Sequence, residues 1–170
     1  MFKKTPANAI RGLVAVIGVG LPLAGAMADD SQPMTVTALV NDACLVGTTN
    51  SLDFGIIDPA TDNDVAGTIE FACTAGFSAE MVINGGTHGV FGNRQMDDAG
   101  GAGDRLVYEL YTDSAGGTVW GNAAGTGKVV TGIGLLNPTT TDVYGRVALA
   151  DAAVAPGGSY QDTVTVTILF

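Results

Sequence analysis

The sequence predicts an all-β protein, a sandwich of antiparallel strands. Three observations carry that expectation. Short runs in which apolar and polar residues alternate recur along the chain, which is the period of a strand with one buried face. Gly, Asn, Asp and Pro, the residues that form turns, stand between these runs, and 25 of the 170 residues are Gly. The i, i+3, i+4, i+7 apolar spacing of an amphipathic helix is almost absent. Many short strands at regular spacing point to a sandwich or a barrel.

The chain divides into three parts. Residues 1–28 have the form of a secretory signal: Lys3, Lys4 and Arg11 lead into an uncharged stretch containing Leu13-Val14-Ala15-Val16-Ile17, and Ala26-Met27-Ala28 fits the small-x-small cleavage rule. The apolar core is short and broken by Pro22 and several Gly, which disfavours a membrane anchor. Residues 29–42 precede the first cysteine. In them Met34, Val36, Ala38 and Val40 alternate with Thr35 and Thr37, predicting a strand with one apolar face. Residues 43–170 form one domain, long enough for a real core.

Within that domain a strand is expected at 43–46, and another at 52–57, ended by Asp58-Pro59. Asp62-Asn63-Asp64 is a polar turn before a strand at 67–73, whose Ile69, Phe71 and Cys73 share a face. A strand at 77–84 ends in Gly85-Gly86, and Arg94-Gln95-Met96 makes a short edge piece. Residues 105–113 give the strongest central strand, with 118–120 pairing back as a hairpin across a Gly-Gly turn. Further strands are expected at 128–136 and 142–150. After the turn Pro156-Gly157-Gly158 comes a last strand, 160–170, with Val164, Val166, Ile168 and Phe170 on one face and Thr163, Thr165 and Thr167 on the other. No turn or strand follows it, so one edge of the sandwich is expected to need covering.

Charge and residue chemistry exclude several functions. The net charge is −10, and beyond residue 28 only Arg94, Arg105, Lys128 and Arg146 are basic, so nucleic acid and anionic membrane surfaces are poor partners. Cys44 and Cys73 are the two cysteines; in an exported chain such a pair reads as a disulfide, whose loop closure contributes about 3–4 kcal/mol. No catalytic, cofactor-binding or metal set is expected. Gly125-Thr126-Gly127-Lys128 looks like part of a phosphate loop, but Asn122 stands where the earlier Gly is required and Val129 where Ser or Thr is. His88 is the one histidine, in a polar turn. Asp97-Asp98 and Asp62-Asn63-Asp64 do not follow calcium-loop spacing. Trp120 and the tyrosines at 108, 111 and 144 are assigned to packing in preference to a sugar site.

Several stretches together resemble the spore coat protein U domain family, which is also the subunit domain of archaic chaperone–usher pili. They are Ala43-Cys44-Leu45-Val46-Gly47 with Leu52-Asp53-Phe54-Gly55; Phe71-Ala72-Cys73; Arg94-Gln95-Met96; residues 106–113 with Trp120-Gly121; Val143-Tyr144-Gly145-Arg146; and residues 156–166. Ala148-Leu149-Ala150 departs from the family, which often carries a Pro there. The resemblance implies an incomplete immunoglobulin-like sandwich lacking its final strand, preceded by a donor-strand extension. It implies three partners: a periplasmic chaperone that lends a strand, touching Val164, Val166, Ile168 and Phe170; an outer-membrane usher; and other copies or sister pilins. Met34, Val36, Ala38 and Val40 are then the donor residues, and the protein passes through the periplasm to the cell surface for adhesion and biofilm formation. Other readings stay open. Residues 34–40 fold back as an edge strand of their own domain, or the protein is a static coat or cell-surface component, or a carbohydrate-binding tip adhesin. An enzyme is not expected.

Overall fold

The computed structural model describes residues 30–170. The expected signal sequence, 1–28, lies outside the described residues. The chain separates into two units, Met1–Ala38 and Leu39–Phe170. The described part of the first, residues 30–38, is exposed and carries neither helix nor strand. No helix among the described residues is long and apolar enough to cross a membrane.

The second unit contains strands β1 (Cys44–Thr49), β2 (Asn63–Cys73), β3 (Ser78–Ile83), β4 (Arg94–Asp98), β5 (Arg105–Tyr111), β6 (Lys128–Thr131), β7 (Thr139–Val147), β8 (Tyr160–Gln161) and β9 (Val166–Leu169), with a one-turn helix α1 (Leu149–Ala152). They form two antiparallel sheets, one of six strands ordered β1-β2-β7-β5-β4-β8 and one of three ordered β6-β3-β9. The core is the alternate residues of both inner faces: Ile69, Phe71 and Cys73 of β2, Leu106, Tyr108 and Leu110 of β5, and Val143 and Val147 of β7, against Ala79, Met81 and Ile83 of β3 and Val130 of β6. Trp120 is wholly buried, and its indole N–H donates to the Met81 carbonyl at 2.7 Å. Cys44 and Cys73 are directly opposed partners in the β1–β2 ladder and form the expected disulfide.

Several strands differ from their sequence expectation, each for a local reason. Residues 52–57 are not a strand. The Asp53 carboxylate accepts the Gly55 N–H at 2.8 Å, Gly55 sits at φ +64°, and the chain bends so that Leu52, Phe54 and Ile57 still reach the core. β2 begins at Asn63, inside the expected turn, because the Asn63 amide closes the preceding bend by accepting from the Asp58 N–H at 2.7 Å and donating to the Asp58 carbonyl. β4 is no edge piece, since it lies between β5 and β8. β6 is only four residues long and stops at Thr131; at Gly132 a side chain would overlap the Cys73 backbone. Residues 118–120 pair back only as a single bridge, Tyr111 to Val119. β7 runs 139–147, earlier than expected, and gives way to α1. The expected strand 160–170 is broken in two: β8 closes the six-stranded sheet, 162–165 cross over, and β9 joins the three-stranded sheet.

Two predictions follow from these contacts. The C44S/C73S double variant should lose about 3 kcal/mol of stability, read in a denaturant melt, and reductant should then leave its midpoint unmoved. On the outer face of the β2–β7 ladder, Arg146 donates to both Asp64 oxygens at 2.6 and 2.7 Å, and this bond holds the Asp64 carboxyl below the usual carboxylate range against a smaller opposing effect of burial. A carboxyl depressed in the folded state adds stability above its unfolded value and loses it as pH falls through the folded one. Asp64→Asn should therefore flatten the acid limb of a stability–pH curve and leave the melt near pH 7 lowered.

Candidate functional site: a groove between two unpaired edges

β1 pairs only with β2, and β9 only with β3. The outer edges of both strands, one from each sheet, carry no ladder partner among the described residues. A cleft begins where these strands meet the connecting segments, at Thr49 and Val166, and its banks are residues 49–57 on one side and 155–166 on the other. Its first chamber, about 440 Å³, runs from Thr49–Leu52 to Tyr160–Val166 over a floor of Ile69, Ile83, Leu110 and Val143. Its second, about 570 Å³, lies between 52–57 and 155–160 with Leu106 beneath. Leu52, Phe54, Met96 and Tyr160 border both chambers and form the ridge between them. The cleft floor is the inward face of β2, β3, β5 and β7, so the alternation that builds the core also makes that floor apolar, while the banks carry polar residues such as Asn50, Ser51, Gln161 and Thr163.

The expected site residues fall in different places. Val164 and Val166 line the groove; Ile168 is half-buried and packs against the core. Phe170 is 70% exposed, resting edge-on against Phe77 with ring centroids 6.0 Å apart. Met34, Val36 and Val40 are 79% exposed or more, and Ala38 is exposed. Leu39, on the opposite face of the expected strand, is 87% exposed.

Sequence reasoning missed the polar frame of the groove. Arg94 is completely buried. Its guanidinium donates to the carbonyls of Asn84 (2.9 Å), Ile83 (2.8 Å) and Trp120 (2.8 Å) and pairs with the Glu109 carboxylate of β5, tying the sheets together. The Asp162 side chain is 2% exposed and accepts from the Tyr108 hydroxyl at 2.7 Å. Burial, then this carboxylate, push the Tyr108 hydroxyl far above the ordinary phenol range. A lone Arg or Asp in a short polar run gives no sign of burial. The only signal was their place in the resembling segments.

The rival chemistries find their residues engaged elsewhere. The glycine-rich loop at 125–127 is a backbone cradle for an anion, and the chain's own Glu80 fills it, accepting the Gly125 and Gly127 N–H groups at 2.9 and 2.6 Å. Those bonds hold the Glu80 carboxyl below its usual range. His88 is not a bare loop residue; it lies 3.7 Å from Asp97 and 3.8 Å from Asp162. No group of three or more His, Cys, Asp or Glu with metal-binding geometry occurs among the described residues. Trp120 is buried beneath Lys128, whose ammonium lies 5.5 Å from the ring centroid, and so offers no sugar platform.

The fold is an immunoglobulin-like antiparallel sandwich with a groove beside the outer edges of β1 and β9, which carry no ladder partner among the described residues. The model of the Spore Coat Protein U domain matches residues 30–167, and this chain belongs to that family. Protein U of Myxococcus xanthus is 32% identical over 96% of this chain and 99% of its own length. Among solved structures, the CsuC–CsuE chaperone–tip adhesion subunit pre-assembly complex from the archaic chaperone–usher Csu pili of Acinetobacter baumannii shares the fold, with TM-score 0.51 and 20% identity over 77% of this chain. This chain spans 40% of the length of that one.

Arg94→Met should cost about 3–5 kcal/mol, because it leaves the Glu109 carboxylate and three carbonyls buried without their donor. A thermal melt of the purified domain checks this, and Glu109→Gln in the same background should restore part of the loss.

Proposed function

We propose that the protein is a structural subunit of an archaic chaperone–usher pilus, polymerising by donor-strand exchange at the cell surface in adhesion and biofilm formation. The observation that carries this is the apolar-floored groove that starts at Thr49 of β1 and Val166 of β9, two strands with unpaired outer edges, in a chain whose residues 34–40 form an exposed segment of period-two apolar character. In this mechanism Met34, Val36, Ala38 and Val40 of one copy enter the groove of the next, with ladder bonds to both edges. Three large side chains and one Ala contribute roughly 5–10 kcal/mol before ordering costs. A periplasmic chaperone fills the same groove first, against Val164, Val166, Ile168 and Phe170, and an outer-membrane usher directs the exchange.

The geometry favours one direction of entry. Ala43 accepts from the Thr74 N–H, Thr74 from the Phe77 N–H, and Phe77 meets Phe170, so the start of β1 and the end of β9 share one end of the sandwich. Only Asn41, Asp42 and Ala43 separate Val40 from Cys44, a reach of at most about 14 Å. A donor ending at this shared end would press like ends together and halt growth. A donor running antiparallel to β9 leaves at the far end and propagates head to tail. In that direction Val36 fills the 440 Å³ chamber, Val40 the 570 Å³ chamber, and small Ala38 crosses the ridge of Leu52, Phe54, Met96 and Tyr160.

A second reading, a subunit of a static coat layer, is favoured by the full-length similarity to Protein U. Heating in SDS separates the two: a donor-strand fibre gives a ladder that collapses only on strong heating, and a coat monomer gives none. Deletion of residues 29–40 should leave a subunit that binds chaperone but forms no ladder. Polymerisation of that deletion would sink the mechanism. Val36→Asp should abolish the ladder and Ala38→Leu should slow it at least tenfold; normal fibres from both would refute this register.

A further inference from the structure

The groove has an apolar floor, and an unfilled apolar space of this size favours collapse of one bank onto the other. The bank at 162–165 is bonded in the opposite direction. The buried Asp162 carboxylate accepts the Tyr108 hydroxyl at 2.7 Å with one oxygen, and the N–H groups of Thr87 and Thr163, each at 2.8 Å, with the other. The Thr87 hydroxyl donates to the Thr163 carbonyl at 3.2 Å. The Asn84 side chain accepts the Thr165 N–H at 2.8 Å while its backbone N–H donates to the Thr165 carbonyl at 3.1 Å. Gly86, at φ +82°, lies so close that any side chain there would overlap the Asp162 carboxylate. Apart from the Thr163 N–H on the bank itself, these partners come from residues 84–87 or β5; none comes from the opposite bank at 49–52.

We propose that Asp162, seated on Tyr108 and residues 84–87, is a positioning residue that holds the acceptor groove open before a strand enters it. The inference rests on the strand-accepting reading of the groove. In this tether residues 84–87 hold 162–165 from one side, while Tyr108 and Asp162 themselves line the first chamber, so their bond braces the groove wall. A donor then meets a preformed slot and does not have to pry two apolar banks apart. Loss of the tether should slow entry without loosening a strand already in place, because the donor's own contacts hold the filled groove apart.

The test is capture of a fluorescent peptide of residues 30–42 by the full mature chain, followed by stopped-flow anisotropy. Tyr108→Phe removes one hydroxyl, and Asp162→Ala removes the acceptor of all three bonds. Each should lower the association rate at least tenfold and leave the dissociation rate within twofold of the parent. Arg146→Gln, which unties the Asp64 pair on the outer face, should lower the melting temperature and leave both rates unchanged. If Tyr108→Phe and Asp162→Ala capture the peptide as fast as the parent, the tether is refuted and the groove reading stands. If Arg146→Gln slows capture equally, general destabilisation explains the effect and the tether is again refuted. If the parent captures no peptide, the groove reading fails and the inference falls with it.

Discussion

The sandwich depends on one buried cation. Arg94 reaches from β4 to three carbonyls around the end of β3 and the Trp120 turn, and to Glu109 on β5. A guanidinium suits this because its planar fork of donors serves several acceptors at once and stays charged. Taking it out of water costs several kcal/mol, which its three carbonyl bonds and the Glu109 pairing offset, although the second Glu109 oxygen is buried without a partner among the described residues. Those bonds link β4 and β5 of one sheet to the end of β3 in the other, beside the groove that Met96 of β4 and Tyr108 and Leu110 of β5 also line.

Each sheet ends in unpaired outer edges, β1 and β8 in the six-stranded sheet and β6 and β9 in the three-stranded one. Away from the groove, polar groups are consumed internally: Glu80 occupies the glycine-rich loop, Asp62 and Asp64 engage Arg146, and Asp97 pairs with Arg105. At the groove the floor is apolar and the backbone of two strand edges is left without ladder bonds. An unpaired edge of this kind invites unspecific pairing, and the excess of acidic over basic residues works against it by repulsion between copies.

Much of the fold was legible because it rests on period two. The buried faces of β2 and β5 were visible residue by residue, as was the pairing of Cys44 with Cys73. The segments that failed are those where tertiary contacts override the pattern. Residues 52–57 alternate well enough for a strand, yet an Asx bend at Asp53 and a left-handed Gly55 turn them into one bank of the groove. Residues 163–168 alternate cleanly, but Asp162 stands on their apolar face, and the chain changes sheets between β8 and β9 next to that buried carboxylate. Alternation reports which side of a chain is apolar. It does not report which sheet receives it, nor that Arg94 and Asp162 find partners tens of residues away.

The disulfide has a mechanical meaning as well as an energetic one. It joins the first ladder pair of β1 to the last residue of β2, at the point where residues 30–43 leave the sandwich. A pull on that segment would, without the bridge, peel β1 away one hydrogen bond at a time, since an edge strand loaded at its end unzips. With Cys44 bound to Cys73 the load bypasses β1 and enters β2, which is flanked on both sides and shares a long ladder with β7. Force is then carried in shear across many bonds at once, and the weakest edge of the molecule is taken out of the line of tension.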